Sequence, residues 1–137
     1  MVSVLFVCLG NICRSPMAEA VFRHYVKQEN LADKIRIDSA GTYHGHVGQP
    51  PHRGTQRILK KNQIPYDGIV ARNIQKDDLA RHTYVIGMDE QNIRDLYFLA
   101  DHEPQNIYRF VDFIPNTSYQ EVPDPYYTAN FEEPYQL

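Results

Sequence analysis

Only two cysteines occur in this chain, Cys8 and Cys13, and both fall on one short stretch. Such a pair cannot staple a secreted fold, and two thiols fall short of the ligand count of a structural zinc site. Long apolar runs are missing too. No stretch approaches the ~20 residues a membrane span needs, and the first residues form a short apolar strand without a basic leader. No membrane association is expected, and the cytoplasm is the expected location. Charge of one sign is equally scarce: 14 Lys and Arg against 17 Asp and Glu leave a formal charge of -3, too little to favour nucleic acid. The 137 residues are expected to form one domain, 1–137, without repeats, linkers or low-complexity segments.

What is present is an alternation of apolar runs and helical patterns, which predicts a parallel sheet covered on both faces. Val2 to Val7 reads as the first strand. A helix opening at Pro16 should press Met17, Val21, Phe22, Tyr25 and Val26 against that sheet. Lys34 to Ser39 reads as a second strand, and Gly41 to Pro51 as a loop rich in Gly, His and Pro. Thr55, Ile58 and Leu59 mark a second helix ending near Asn62. Thr83 to Gly87 is a third strand, after which Asp89 can cap a helix carrying Ile93, Leu96 and Leu99. Ile107 to Phe110 closes the sheet. Tyr84, Tyr97 and Tyr108 are expected in the core or at its boundary.

Between the first strand and first helix stands Cys8-Leu9-Gly10-Asn11-Ile12-Cys13-Arg14-Ser15. A loop of this length can curl so that successive N–H groups point inward, holding a tetrahedral oxyanion together with the helix N-terminus and Arg14. Cys8 would lie at the floor, in a positive field that favours thiolate over thiol. The Arg14 guanidinium offers a planar fork that matches two phosphate oxygens. Gly10 is expected to supply a positive φ and close approach to the anion, and Asn11 to tolerate the left-handed region. Ser15 can either cap the helix that begins at Pro16 or donate to the Cys8 sulfur.

With this loop directly after the first strand, followed by Pro16-Met17-Ala18-Glu19-Ala20, Asp38-Ser39-Ala40-Gly41-Thr42, Pro50-Pro51-His52, Met88-Asp89 and Asp124-Pro125-Tyr126-Tyr127, the chain resembles the low-molecular-weight protein tyrosine phosphatases. The matching stretches follow the family's order across nearly the whole sequence. The resemblance implies a single-domain, Rossmann-like three-layer α/β sandwich with a four-stranded parallel sheet. It implies hydrolysis of protein phosphotyrosine without metal or cofactor, with Cys8 as nucleophile, Arg14 as phosphate-binding residue and Asp124 as general acid and base. Leu9, Gly10, Asn11, Ile12, Cys13 and Ser15 would line the phosphate loop, and Tyr126 and Tyr127 the entrance. Tyrosine-phosphorylated proteins would be the partners, with a tyrosine kinase as a further candidate and a monomer or weak dimer as the expected state. It also favours a reversible disulfide between Cys8 and Cys13 that shields the nucleophile under peroxide.

Two departures stand out. Many relatives place an aromatic residue near Gly45, and Tyr43 is the candidate to replace it on the wall of the entrance. The chain also stops soon after Asn130-Phe131-Glu132-Glu133 begins what resembles the family's closing helix, so that helix is expected to be truncated. His44, His46 and His52 form a poor metal cage on a Gly-rich loop. Among rival functions, an arsenate reductase of the phosphatase-like type needs further cysteines, and none follows Cys13. A phosphotyrosine-binding module or a sugar-transport phosphocarrier has no need of Cys8, Arg14 and Asp124 together.

Overall fold

The computed structural model describes residues 2–43, 45–100 and 105–113. Its strands are β1 (Val2–Cys8), β2 (Ile35–Gly41), β3 (Tyr84–Gly87) and β4 (Ile107–Arg109), and its helices α1 (Arg14–Gln28), α2 (Arg53–Lys61), α3 (Lys76–Arg81) and α4 (Glu90–Leu99), with a 3-10 turn at Phe110–Phe113. All strands are parallel, in the order β2-β1-β3-β4. β1 is buried on both faces from Ser3 onwards, which is why it is apolar without a break from Val4 to Val7. Its alternation sends Val4, Phe6 and Cys8 to one face, against Ala18 and Phe22 of α1. Leu5 and Val7 point to the other, where Leu79 of α3 and Leu96 of α4 cover them. Three layers result, as expected. Through Ile58 and Leu59, α2 packs on a different side of α1, against Met17 and Ala20.

From central β1 the chain goes to one side for β2 and to the other for β3. That reversal opens a crevice beyond the carboxyl end of β1, the place where open α/β sheets bind ligands. Cys8 ends β1 and faces the α1 layer.

Several expectations need correction. Tyr25 does not press on the sheet but is exposed, because α1 turns Met17, Ala20 and Val26 inward instead. Tyr84 and Tyr97 are exposed as well, and of the three tyrosines only half-buried Tyr108 sits at the core boundary, its ring tilted against that of Tyr84 with centroids 5.5 Å apart. The short helix α3 leaves no periodic trace, since Leu79 is its one large apolar residue. β2 runs to Gly41, beyond the expected Ser39. No helix among the described residues is long and apolar enough to cross a membrane. On the α1 face, Val2, Val4, Phe6, Phe22, Ile35, Tyr84, Ile86, Phe110 and Phe113 line an open apolar hollow of about 340 Å³. The expected closing helix, Asp124, Tyr126 and Tyr127 lie outside the described residues.

Candidate active site

The loop after β1 is held in place by its neighbours' backbones. Thr42 N–H donates to the Cys8 carbonyl at 3.0 Å and Tyr43 N–H to that of Leu9 at 2.8 Å, so the β1–β2 pairing continues into the loop. His52 N–H donates to the Ile12 carbonyl at 2.7 Å, and the Thr55 hydroxyl to that of Cys13 at 3.3 Å. Gly41 permits this approach: a Cβ there would lie 2.8 Å from the Leu9 carbonyl oxygen.

Asn11 adopts φ 57°, the left-handed conformation expected of it. Gly10 does not have a positive φ. Its need is for space, because a Cβ at Gly10 would lie 2.9 Å from Cδ2 of His46. The His46 ring therefore overhangs the loop, while its Nδ1 sits 3.0 Å from Oε1 of Gln49.

Helix α1 opens two residues earlier than Pro16 suggests, with Cys13 as the cap position and no side-chain cap. Ser15 thus lies inside the first turn, fully buried, and the capping role falls away. Its hydroxyl instead lies 3.0 Å from Cys8 Sγ. Asn11 N–H points at the same sulfur from 3.3 Å. No acidic residue occupies the first turn of α1, so the positive end of the helix dipole is left for an anion.

Buried polar groups brace this arrangement from behind. Asn11 Nδ2 donates to Ser15 Oγ at 2.8 Å and to Ser39 Oγ at 2.9 Å, and Ser39 Oγ donates to Glu19 Oε1 at 2.5 Å. Asn11 Oδ1 accepts from the Arg72 backbone N–H at 2.9 Å. Burial pushes the Glu19 carboxyl up from its ordinary range, with the Ser39 hydroxyl opposing that shift. In a low-dielectric interior each such bond counts for more than it would in water, provided the network is complete.

Arg14 is buried and its Nη1 donates to Asp89 Oδ2 at 2.8 Å. Asp89 serves two helices at once, since its Oδ1 accepts from Asn92 N–H at 2.8 Å and so caps α4. Asp89→Asn should preserve the cap, for which Asn serves about as well as Asp. It should release Arg14, lowering kcat/KM on an aryl phosphate about ten-fold, the loss expected for one charged hydrogen bond. Steady-state kinetics beside thermal melting check this. An unchanged melting temperature with unchanged kinetics would reduce Asp89 to a helix cap.

At the rim, the Tyr43 ring lies over Gly45, in space that a Cβ at that position would need. It meets His46 edge to face, centroids 5.9 Å apart. Tyr43 therefore fills the place of a side chain at position 45. His52 caps α2 instead, its Nδ1 accepting from Gly54 N–H at 3.0 Å. An inward-facing sulfur, a helix N-terminus and a buried guanidinium converge at the end of β1, an arrangement suited to an oxyanion and a thiol nucleophile.

Residues 3–137 match the sequence profile described as low molecular weight phosphotyrosine protein phosphatase. The chain belongs to that family. It is 50% identical over 138 residues to the low molecular weight protein-tyrosine-phosphatase YfkJ of Bacillus subtilis, covering 100% of this chain and 88% of that protein. Against PtpA of Staphylococcus aureus (strain bovine RF122 / ET3-1) the identity is 43%, covering 100% of this chain and 86% of the relative. The crystal structure of YfkJ superposes with a TM-score of 0.97, covering 99% of this chain and 86% of that one. The family is one of cysteine-dependent phosphotyrosine phosphatases.

Of the expected site residues, the structure gathers Cys8, Leu9, Gly10, Asn11, Ile12, Cys13, Arg14 and Ser15 in one loop and first helical turn, with Tyr43 at the rim. Asp124, Tyr126 and Tyr127 fall outside the described residues. Sequence reading passes over Asp89 as a partner of Arg14, and over Ser39, Glu19 and Arg72 as supports of Asn11. The only trace of the first three was their place in the stretches that match the family.

Proposed function

We propose that this phosphatase hydrolyses phosphotyrosine in proteins through a cysteinyl-phosphate intermediate, with 1–137 acting as one catalytic domain. The observation that carries the reading is the Cys8 sulfur, which faces the Asn11 N–H and the Ser15 hydroxyl beside the N-terminus of α1. Donors so placed orient the sulfur towards the space above the loop, where a nucleophile must meet its substrate.

Cys8 Sγ attacks phosphorus, and the S–P bond forms as the bond to the tyrosine oxygen breaks. Asp124 gives its proton to the departing phenolate. The same carboxylate then takes a proton from water as the water oxygen attacks phosphorus, the S–P bond breaks, and inorganic phosphate leaves. Arg14 and the loop amides stabilise the charge that spreads over the equatorial oxygens in both steps. Leu9, Gly10, Ile12 and Cys13 complete the loop, and Tyr43, Tyr126 and Tyr127 form the walls against a flat aromatic ester. A deep floor favours tyrosine phosphate, since a phosphoryl group on serine or threonine sits too near its backbone to reach Cys8. In this reading the enzyme works in the cytoplasm as a monomer or weak dimer, and a tyrosine kinase supplies its substrates.

Rapid mixing with an aryl phosphate in the presence of a chelator tests the mechanism. One equivalent of phenolate should appear in a burst, followed by steady release of inorganic phosphate, with no effect of the chelator. Absence of turnover would instead indicate a binding module, and a long-lived phosphoenzyme a carrier. Asp124→Ala should cut the burst rate about 10²- to 10³-fold on a poor leaving group, within the range of general acid catalysis, while KM changes little. An unaltered burst would remove Asp124 from the mechanism.

A further inference from the structure

Arg72 lies far from the phosphate loop in sequence, between α2 and α3, yet its backbone N–H is the group that meets Asn11 Oδ1. The Arg72 N–H is a donor only, so it donates to the oxygen of the Asn11 amide and has nothing to offer its NH₂. Both Nδ2 protons are thereby turned to Ser15 and Ser39. Ser15 Oγ accepts from Asn11 and lies 3.0 Å from Cys8 Sγ, so its single proton is free to meet the sulfur when the sulfur is an acceptor. With the amide reversed, Asn11 Oδ1 would take the Ser15 proton and the sulfur would lose a donor.

The side chain of the same residue joins an ion-pair cluster outside the site. Arg72 Nη1 and Nη2 fork onto Asp78 at 3.0 and 3.1 Å, and Nη2 also reaches Asp38 at 2.9 Å. Asp78 in turn accepts from Gln75 N–H at 2.7 Å and has His82 Nε2 3.8 Å away. Burial works against the guanidinium's charge, but the Asp78 hydrogen bonds and the nearby Asp38 outweigh it and raise the group further. The Arg72 carbonyl accepts from Gly41 N–H at 2.8 Å, so the same residue ties the cluster to the end of β2. A forked arginine–carboxylate pair fixes direction as well as position, which a lysine in its place would not.

We propose that Arg72 is a positioning residue for catalysis: anchored by Asp78 and Asp38, its backbone N–H locks the Asn11 amide in the orientation that directs the Ser15 proton onto Cys8. The proposal deepens the phosphatase reading and rests on it. Its function is to keep the Ser15 hydroxyl aimed at the attacking sulfur, without touching substrate.

The test compares the native enzyme with Arg72→Gln, Arg72→Lys and Asp78→Asn. Alkylation of Cys8 by iodoacetate, located by mass spectrometry, is timed at about pH 6 and about pH 9, since thiolate is the reacting form. Arg72→Gln should be alkylated about ten-fold more slowly at the lower pH and at the native rate at the higher. Its kcat on aryl phosphate should fall by a similar factor at the lower pH, and Arg72→Lys should recover part of both. Equal rates at both pH values would overturn the proposal, as would an equal loss at both accompanied by a lower melting temperature. Should Arg72→Gln fail to fold, Asp78→Asn, which leaves the guanidinium with Asp38, is expected to show the same pH-selective loss. A native enzyme that is inert towards aryl phosphate would defeat the phosphatase reading, while the alkylation comparison still judges the Arg72 lock.

Discussion

Cys8→Ser should abolish hydrolysis of an aryl phosphate, lowering kcat by at least about 10⁴-fold, as removal of a covalent nucleophile does elsewhere. The size follows from chemistry at one atom. Serine at position 8 would still receive the Asn11 N–H and the Ser15 hydroxyl, but an alcohol stays protonated where a thiol ionises. Among the described residues no histidine stands with the hydrogen-bond partners of Cys8 to act as its base. The substitution is nearly isosteric at a buried position, and the hydroxyl would find partners, so the melting temperature should change little. Inorganic phosphate should still compete for the pocket, because Arg14 and the loop amides remain. A variant that keeps turnover within ten-fold of native would remove the cysteinyl phosphate from the mechanism.

Arg14→Lys should lower kcat/KM by about 10²- to 10³-fold, the range seen when one donor to a developing oxyanion is lost. Lysine keeps the charge and so leaves Asp89 with a cationic partner. What disappears is the fork, which engages two equatorial oxygens while Nη1 remains on Asp89. Since those oxygens gain charge in the transition state, kcat should fall along with affinity. The alanine variant is less informative, because it strands a largely buried carboxylate and confounds catalysis with stability. Kinetics matching the native enzyme in Arg14→Lys would show that a point charge suffices.

The outline of the fold was legible because β1 is apolar without a break from Val4 to Val7 and α1, α2 and α4 carry helical periodicity. α3 escaped notice because its six residues place only Leu79 in the core, too little for a period to show. Tyr25 went to the wrong face because α1 packs on both the sheet and α2, and its buried arc is set by Met17, Ala20 and Val26. In the site, Cys8, Asn11 and Arg14 were readable from residue type and spacing alone. Ser15 stood ambiguous between cap and sulfur donor, a choice that turned on whether α1 begins at Arg14 or Pro16. The positive φ expected at Gly10 proved to be a steric demand from His46, thirty-six positions away, which no local rule contains.

By itself the sequence determined that a thiol and a guanidinium share one loop between a strand and a helix, since those positions are covalently tied and their spacing sets what the loop can enclose. Only the tertiary structure decided which groups orient them: Asp89 on Arg14, Ser39 and Glu19 behind Asn11, and Arg72 at its carbonyl oxygen. Those partners come from separate strands, helices and connecting segments. Hydrogen-bond direction depends on where donors and acceptors meet in space, and spacing along the chain does not encode it.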